Sequence, residues 1–288
     1  MKLFPNGNHI ITTLTYQLFK MSFTRNLTQL YINEPSGIIG RNIELQQMFL
    51  TLLRYEKPNI LLLGDPGVGK TSLVHLLAEC IATEVCPKWL KGYNVVEVNT
   101  NALLAGPGYR GVTEEKFQQL IDSAVGNRVI LFFDEFHTVT HLGEMSNCQT
   151  PGLGNTLKTY LTRQDFKVIG ATTTEEMKKI DDKAFSRRFT KIVIGEPSDE
   201  ALMKICESVF TKFSRGKLKN QVSWEELIPL SKSLDGVNPD KLKNILDIGI
   251  AKAKLDESPY FDRSHVDFAL GMLTQNKVIE PVEVEEGF

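Results

Sequence analysis

The chain has 288 residues, 42% of them hydrophobic and 24% charged, a composition that suits one large or two ordinary folded domains and excludes a disordered or fibrous protein. Its formal net charge of −2 supplies no overall positive field toward nucleic acid or an anionic membrane, and no apolar run of about 18 residues offers a membrane-crossing helix. The cysteines Cys80, Cys86, Cys148 and Cys206 contain no C-x-x-C pair, so they read as reduced thiols of a cytoplasmic protein, not as a zinc site or disulfide framework.

Residues 1–33 contain no acidic residue but include Lys2, Lys20 and Arg25, and IITTLTYQLF is too broken by threonine and glutamine for a secretory signal. Residues 1–30 read as an N-terminal extension or linker, with Met21 as an alternative start. From about residue 36, short apolar runs alternate with amphipathic stretches, the mark of a βαβ sheet. NILLLG (59–64) reads as a buried strand that passes through a glycine loop into a helix from Lys70 to about Thr83. YNVVEVN (93–99) is the next strand. It runs into LLAGPGYRGVTEEKF (103–117), where glycines and a proline around Tyr109 and Arg110 predict a loop before a helix from Thr113 to about Ala124. RVILFFDE (128–135) is an apolar run ending in two carboxylates, as a central parallel strand would. FKVIGATT (166–173) and TKIVIGE (190–196) are further strands.

After Glu196 the period becomes helical, and no further buried strand is expected. DEALMKICESVFTKF, SWEELIPLSKSL, PDKLKNILDIGIAKAK and SHVDFALGMLTQ are amphipathic, and Pro197 and Pro239 stand just before their helices. The expected architecture is α/β. A three-layer αβα sandwich with a parallel sheet covers residues 31–196, a small all-helical domain covers 197–276, and an acidic tail covers 277–288.

GDPGVGKT (64–71) fits G-x-x-x-x-G-K-[ST] in full and lies between a strand and a helix, the context that pattern requires. Glycines let backbone N–H groups converge on phosphate oxygens, and the helix N-terminus adds positive potential. The loop predicted to hold ATP comprises Gly64, Asp65, Pro66, Gly67, Val68, Gly69, Lys70, Thr71 and Ser72. Lys70 would reach the β- and γ-phosphates, and the Thr71 hydroxyl would ligate Mg2+. Asp134, at the end of its strand, would hold the same Mg2+ through water, and Glu135 would polarise the attacking water as general base. Together they predict hydrolysis as well as binding.

Several stretches resemble AAA+ ATPases, and specifically the first ATPase module of the Clp unfoldase and disaggregase chaperones. They are SGIIGRNIEL (36–45), GDPGVGKTSLV (64–74), LLAGPGYRGVTEEKF (103–117), ILFFDEFHT (130–138), GNTLKTYLTRQDFKVIGATTTEE (154–176), SRRF (186–189) and GEPS (195–198). PDKLKNILDIGIAKA (239–253) resembles that module's lid helix. The resemblance implies a P-loop NTPase fold and roles by position. Ile38, Ile39 and Gly40 would line the adenine pocket. Thr173 would be the sensor of the γ-phosphate and attacking water, with Thr172 and Thr174 as neighbouring alternatives. Arg187 and Arg188 would act as arginine fingers on the neighbouring subunit's nucleotide, which implies a homo-oligomeric, ATP-dependent ring of six. Tyr109 and Arg110 match the first pore loop, whose aromatic grips a translocating protein. Pro107-Gly108 departs from the more basic residue usual before that tyrosine, which makes the loop less cationic. Lys241 is the nearest cation to the sensor-2 position.

The function expected is a Clp-like ring that remodels or translocates protein substrates, with substrate and adaptor unspecified. The alternatives are a nucleotide-gated scaffold without threading and an AAA+ motor serving a nucleic-acid machine, which would call for basic stripes that the sequence lacks. His137 and His141, four residues apart, have no evident third ligand for a metal, and His137 matches the family's DE-x-H.

Overall fold

A computed structural model of the chain describes residues 13–33, 35–104, 110–141, 153–179 and 187–274. It divides into two compact units, one of residues 1–65 and 69–195, the other of 66–68 and 196–288. Among the described residues, no helix is long and apolar enough to cross a membrane.

The first unit opens with α1 (Thr13–Leu18), β1 (Thr24–Asn26) and α2 (Leu27–Leu30). Residues 24–30 are therefore not the extension or linker expected from the sequence. β1 pairs antiparallel with β3 (Asn94–Val98), Thr24 opposite Val98, and closes one edge of the sheet. Leu18, Phe23 and Leu27 anchor the segment in the core, and the Asn26 side chain accepts from Gln29 N to cap α2. Three-residue elements carry no readable period, so burial is what sets this segment's place.

α3 (Asn42–Leu52) precedes β2 (Asn59–Leu63), which leads into α4 (Lys70–Ala82). After β3 come α5 (Thr100–Leu104), α6 (Arg110–Ala124), β4 (Val129–Phe133), α7 (Phe136–His141), α8 (Leu153–Tyr160), β5 (Lys167–Thr172), α9 (Thr174–Lys179) and β6 (Phe189–Val193). α6 begins at Arg110, three residues before the expected Thr113, because Gly111 falls in the first turn, where backbone N–H groups lack helical partners in any case. The sheet order is β1-β3-β4-β5-β2-β6, and every pairing but that of β1 is parallel. β2, β4 and β5 are buried along their whole length, as strands covered on both faces must be. This order sets the C-terminal ends of β4, β5 and β2 side by side, the edge where open α/β sheets bind ligands.

The second unit holds α10 (Asp199–Ser214), β7 (Lys219–Asn220), α11 (Trp224–Ser231), α12 (Asp240–Leu255), β8 (Tyr260–Phe261) and α13 (Arg263–Leu273). Ser198 caps α10 by accepting from Ala201 N, with Asp199 and Glu200 in the favourable first turn. Asp262 and His265 form a reciprocal cap on α13. Beyond Glu196, where no further buried strand was expected, β7 and β8 pair in parallel, Asn220 opposite Phe261, and Phe261 is the one buried residue of the pair. Two-residue strands leave no trace in a sequence pattern, and the burial of the Phe261 ring fixes this one. Leu202, Cys206, Leu242, Ile245, Leu246 and Val266 fill the core around it. Burial pushes the Cys206 thiol up to about 12, so it stays protonated and packs as an apolar group. Gly67 belongs to this unit and has φ of +81°, and a Cβ there would stand 2.7 Å from the Asp240 Cβ.

Candidate active site

β2 ends at Leu63, and Gly69, with φ of +102°, starts α4 in a left-handed turn that suits glycine. The turn brings the α4 N-terminus, with its inward N–H groups, to the end of the buried strand. Lys70 Nζ donates to the carbonyls of Gly64 at 2.8 Å and Asp65 at 3.0 Å, so the ammonium lies folded over its own loop. Burial pushes the Lys70 pKa down, and the charges of Asp134, Glu176 and Asp65 oppose that shift. Asp65, Pro66 and Gly67 are exposed, Val68 is buried, and Ser72 is half-buried on α4.

The end of β4 meets this turn. Thr71 Oγ1 donates to Asp134 Oδ2 at 2.7 Å, tying α4 to the acidic strand end. A hydroxyl and a carboxylate converging here are hard oxygen donors of the kind Mg2+ takes, and an octahedral Mg2+ bound beside phosphates needs few protein ligands. No group of three or more His, Cys, Asp or Glu suited to a metal occurs among the described residues.

Glu135 follows with an exposed side chain and φ of +53°, a left-handed conformation costing a non-glycine residue roughly 1–2 kcal/mol. Its neighbours hold it there. Glu135 N donates to Asp134 Oδ1 at 3.1 Å, and Thr138 gives both its N–H and its hydroxyl to Glu135 O at 2.9 Å. Phe136 then packs edge-on against Phe189, ring centroids 5.0 Å apart.

At the end of β5, Thr172 is buried, Thr173 is half-buried and Thr174 is exposed. Glu176 Oε2 accepts from Thr172 Oγ1 and from Thr173 N, each at 3.0 Å, and Glu176 N donates to Thr173 Oγ1 at 3.1 Å. His137 Nδ1 stands 3.2 Å from the same Oε2 and 3.3 Å from Thr172 Oγ1. Glu176 was not among the expected site residues, although Thr173-Thr174-Glu175-Glu176 is a legible T-x-x-E capping pattern.

The structure thus brings Lys70, Thr71, Asp134, Glu135 and Thr173 to neighbouring strand ends. Ile38, Ile39 and Gly40 are half-buried in the segment before α3. That segment is tied to α4 through Ser36, whose N–H donates to Glu79 Oε2 at 3.2 Å and whose hydroxyl donates to the same oxygen. Ser36 Oγ in turn accepts from Ile38 N at 3.2 Å. Arg187 is exposed and Arg188 half-buried immediately before β6, where the Arg188 carbonyl accepts from Asn59 Nδ2 at 3.4 Å. In the helical unit Lys241 Nζ donates to Leu234 O at 3.2 Å. Tyr109 lies outside the described residues, and Arg110 opens α6.

The model of the AAA family, ATPases associated with various cellular activities, matches residues 60–196. The chaperone protein ClpB of Meiothermus ruber is 39% identical over 179 residues, which cover 61% of this chain and 21% of ClpB. The ATP-dependent Clp protease ATP-binding subunit ClpL of Staphylococcus aureus (strain USA300) is 33% identical over 265 residues, 88% of this chain and 37% of ClpL. In fold, the chain resembles Hsp104 in a closed-state cryo-EM reconstruction with ATPγS and FITC casein, with a TM-score of 0.79, 28% identity and coverage of 90% of this chain and 45% of that one. The ADP complex of S. cerevisiae Hsp104 gives a TM-score of 0.77 at 29% identity, covering 88% of this chain and 44% of that one. The chain spans less than half the length of each of these proteins. A match to the AAA family model over the glycine loop, both acids and the paired arginines makes residues 60–196 an AAA-family domain, and the fold shared across nearly the whole chain makes the protein similar to the Clp-type chaperones.

Proposed function

We propose that this chain is the ATP-driven engine of a Clp-like ring that remodels or translocates protein substrates in the cytoplasm. The observation that carries the reading is the 2.7 Å bond between Thr71 and Asp134, which joins the phosphate loop's helix to the strand end that presents Glu135. Hydrolysis needs those parts within one ligand's reach.

In this reading the glycine loop and Lys70 cradle the triphosphate, and Ile38, Ile39 and Gly40 contact the adenine. Thr71 and Asp134 are the residues that would hold Mg2+, which when bound supplies charge neutralisation between the phosphates. Glu135 accepts the proton of the attacking water, and Thr173 orients that water against the γ-phosphate. Arg187 and Arg188 stabilise charge on the transferring group of a neighbouring copy's nucleotide. That composite site is what makes a ring of identical chains, by family resemblance a hexamer, the working form. Residues 31–196 form the ATPase domain and 197–276 its lid, where Lys241 is the nearest sensor-2 cation. Tyr109 and Arg110 serve as the pore loop, the aromatic gripping chain of any sequence through contact area.

The test is ATP-dependent unfolding of a tagged model protein by wild type and by Tyr109→Ala. Threading predicts that Tyr109→Ala keeps its ATPase and loses unfolding. Unfolding that survives in Tyr109→Ala would overturn threading and favour a nucleotide-gated scaffold.

A further inference from the structure

We propose that Glu176 is a positioning residue for hydrolysis: its carboxylate gathers the Thr172 hydroxyl, the Thr173 N–H and the His137 ring, and so sets where Thr173 meets the reacting phosphate. The inference rests on the reading of Thr173 as the residue that faces the γ-phosphate and attacking water.

One oxygen, Oε2, does the gathering, with Thr172 Oγ1 and Thr173 N at 3.0 Å and His137 Nδ1 at 3.2 Å. The return bond from Glu176 N to Thr173 Oγ1 at 3.1 Å closes a reciprocal cap, so Thr173 is held through both its backbone and its side chain. Burial pushes the Glu176 pKa up, but the hydrogen bonds from Thr173 and Thr172 and the nearby His137 outweigh it and leave the carboxyl below its ordinary value. The acceptor is therefore ionised at neutral pH, which strengthens each bond it receives.

A cap that served only α9 would end at Thr173. This one extends to the other parts of the site. His137 lies two residues beyond Glu135, so Glu176 couples the end of β5 to the segment that carries the base. Its charge also acts on Lys70, alongside those of Asp134 and Asp65. The same arrangement separates the three consecutive threonines. Thr172 is buried with its hydroxyl directed to Glu176, Thr174 is exposed on the first turn of α9, and Thr173 stands between them at the surface of the site.

The test measures steady-state ATP turnover, nucleotide affinity and melting temperature for Glu176→Gln, Thr173→Val and the double variant. Glu176→Gln keeps the shape but removes the charge, and its kcat should fall about tenfold while nucleotide affinity stays within about twofold of wild type. In the Thr173→Val background the same change should alter kcat by less than about twofold, because a residue acting through Thr173 has nothing left to position. Wild-type kcat in Glu176→Gln, a loss matched by equal loss of affinity, or an undiminished further loss in the double variant would each overturn the proposal. Should Glu176→Gln melt early, Glu176→Asp decides, since it keeps the charge one methylene short: the same kcat loss supports the proposal and wild-type kcat overturns it. Wild-type turnover in Thr173→Val would instead defeat the assignment of Thr173, a result separate from any effect of Glu176.

Discussion

Gly170 on β5 lies so close to Phe136 that a Cβ added to it would stand 2.7 Å from the Phe136 Cγ. Phe136 is the residue after Glu135, so the missing side chain on β5 sets how near the Glu135 segment comes to the sheet. Phe136 is 1% exposed and also meets Phe133 edge-on at 6.3 Å, so the ring has little room to retreat. Gly170→Ala should therefore destabilise the α/β unit by about 1–3 kcal/mol, the usual result of overpacking. Turnover at a temperature where the variant is folded should fall as well, because Glu135 is displaced. Chemical denaturation paired with an ATPase assay checks both, and unchanged values would show that Phe136 shifts without consequence.

Glu135→Gln should bind ATP with near wild-type affinity and lose about a hundredfold or more in turnover, the scale of a lost general base. The left-handed backbone at Glu135 is held by bonds to its N–H and carbonyl, and none of these involves the carboxylate. The substitution should thus leave the local fold intact. Fluorescent-nucleotide binding and phosphate release measure the two effects, and turnover near wild type would remove Glu135 from the role of base.

Arg187→Ala combined with Arg188→Ala should lower turnover about a thousandfold, as loss of an arginine finger does, with little change in nucleotide affinity. The double variant mixed with Glu135→Gln chains should recover activity above either alone, since each supplies what the other lacks. The Arg188 carbonyl, not its side chain, accepts from Asn59, so that packing contact survives truncation. Equal loss of binding and melting temperature would point to a folding role.

What the residues alone disclose follows from the length scale of each signal. β2, β4 and β5 are legible because central parallel strands are apolar on both faces, and the glycine loop and two acids sit at their ends. α10, α12 and α13 are legible through their apolar stripes. β1, β7 and β8 are not, since two or three residues have no period and their place is set by distant partners such as Val98 and Phe261. Within the site, Lys70, Thr71, Asp134 and Glu135 follow from a contiguous motif and a strand end. The 3.2 Å approach of His137 Nδ1 to Glu176 Oε2 joins residues far apart in the chain and shows only once β4 and β5 are paired.

The most direct test is ATP turnover per chain measured against protein concentration, with sedimentation run on the same samples. If the site is completed by Arg187 and Arg188 of a neighbouring copy, turnover per chain should rise with the oligomeric fraction and approach zero for monomer. Turnover per chain that stays constant from demonstrably monomeric to assembled samples would contradict a shared site and, with it, the ring.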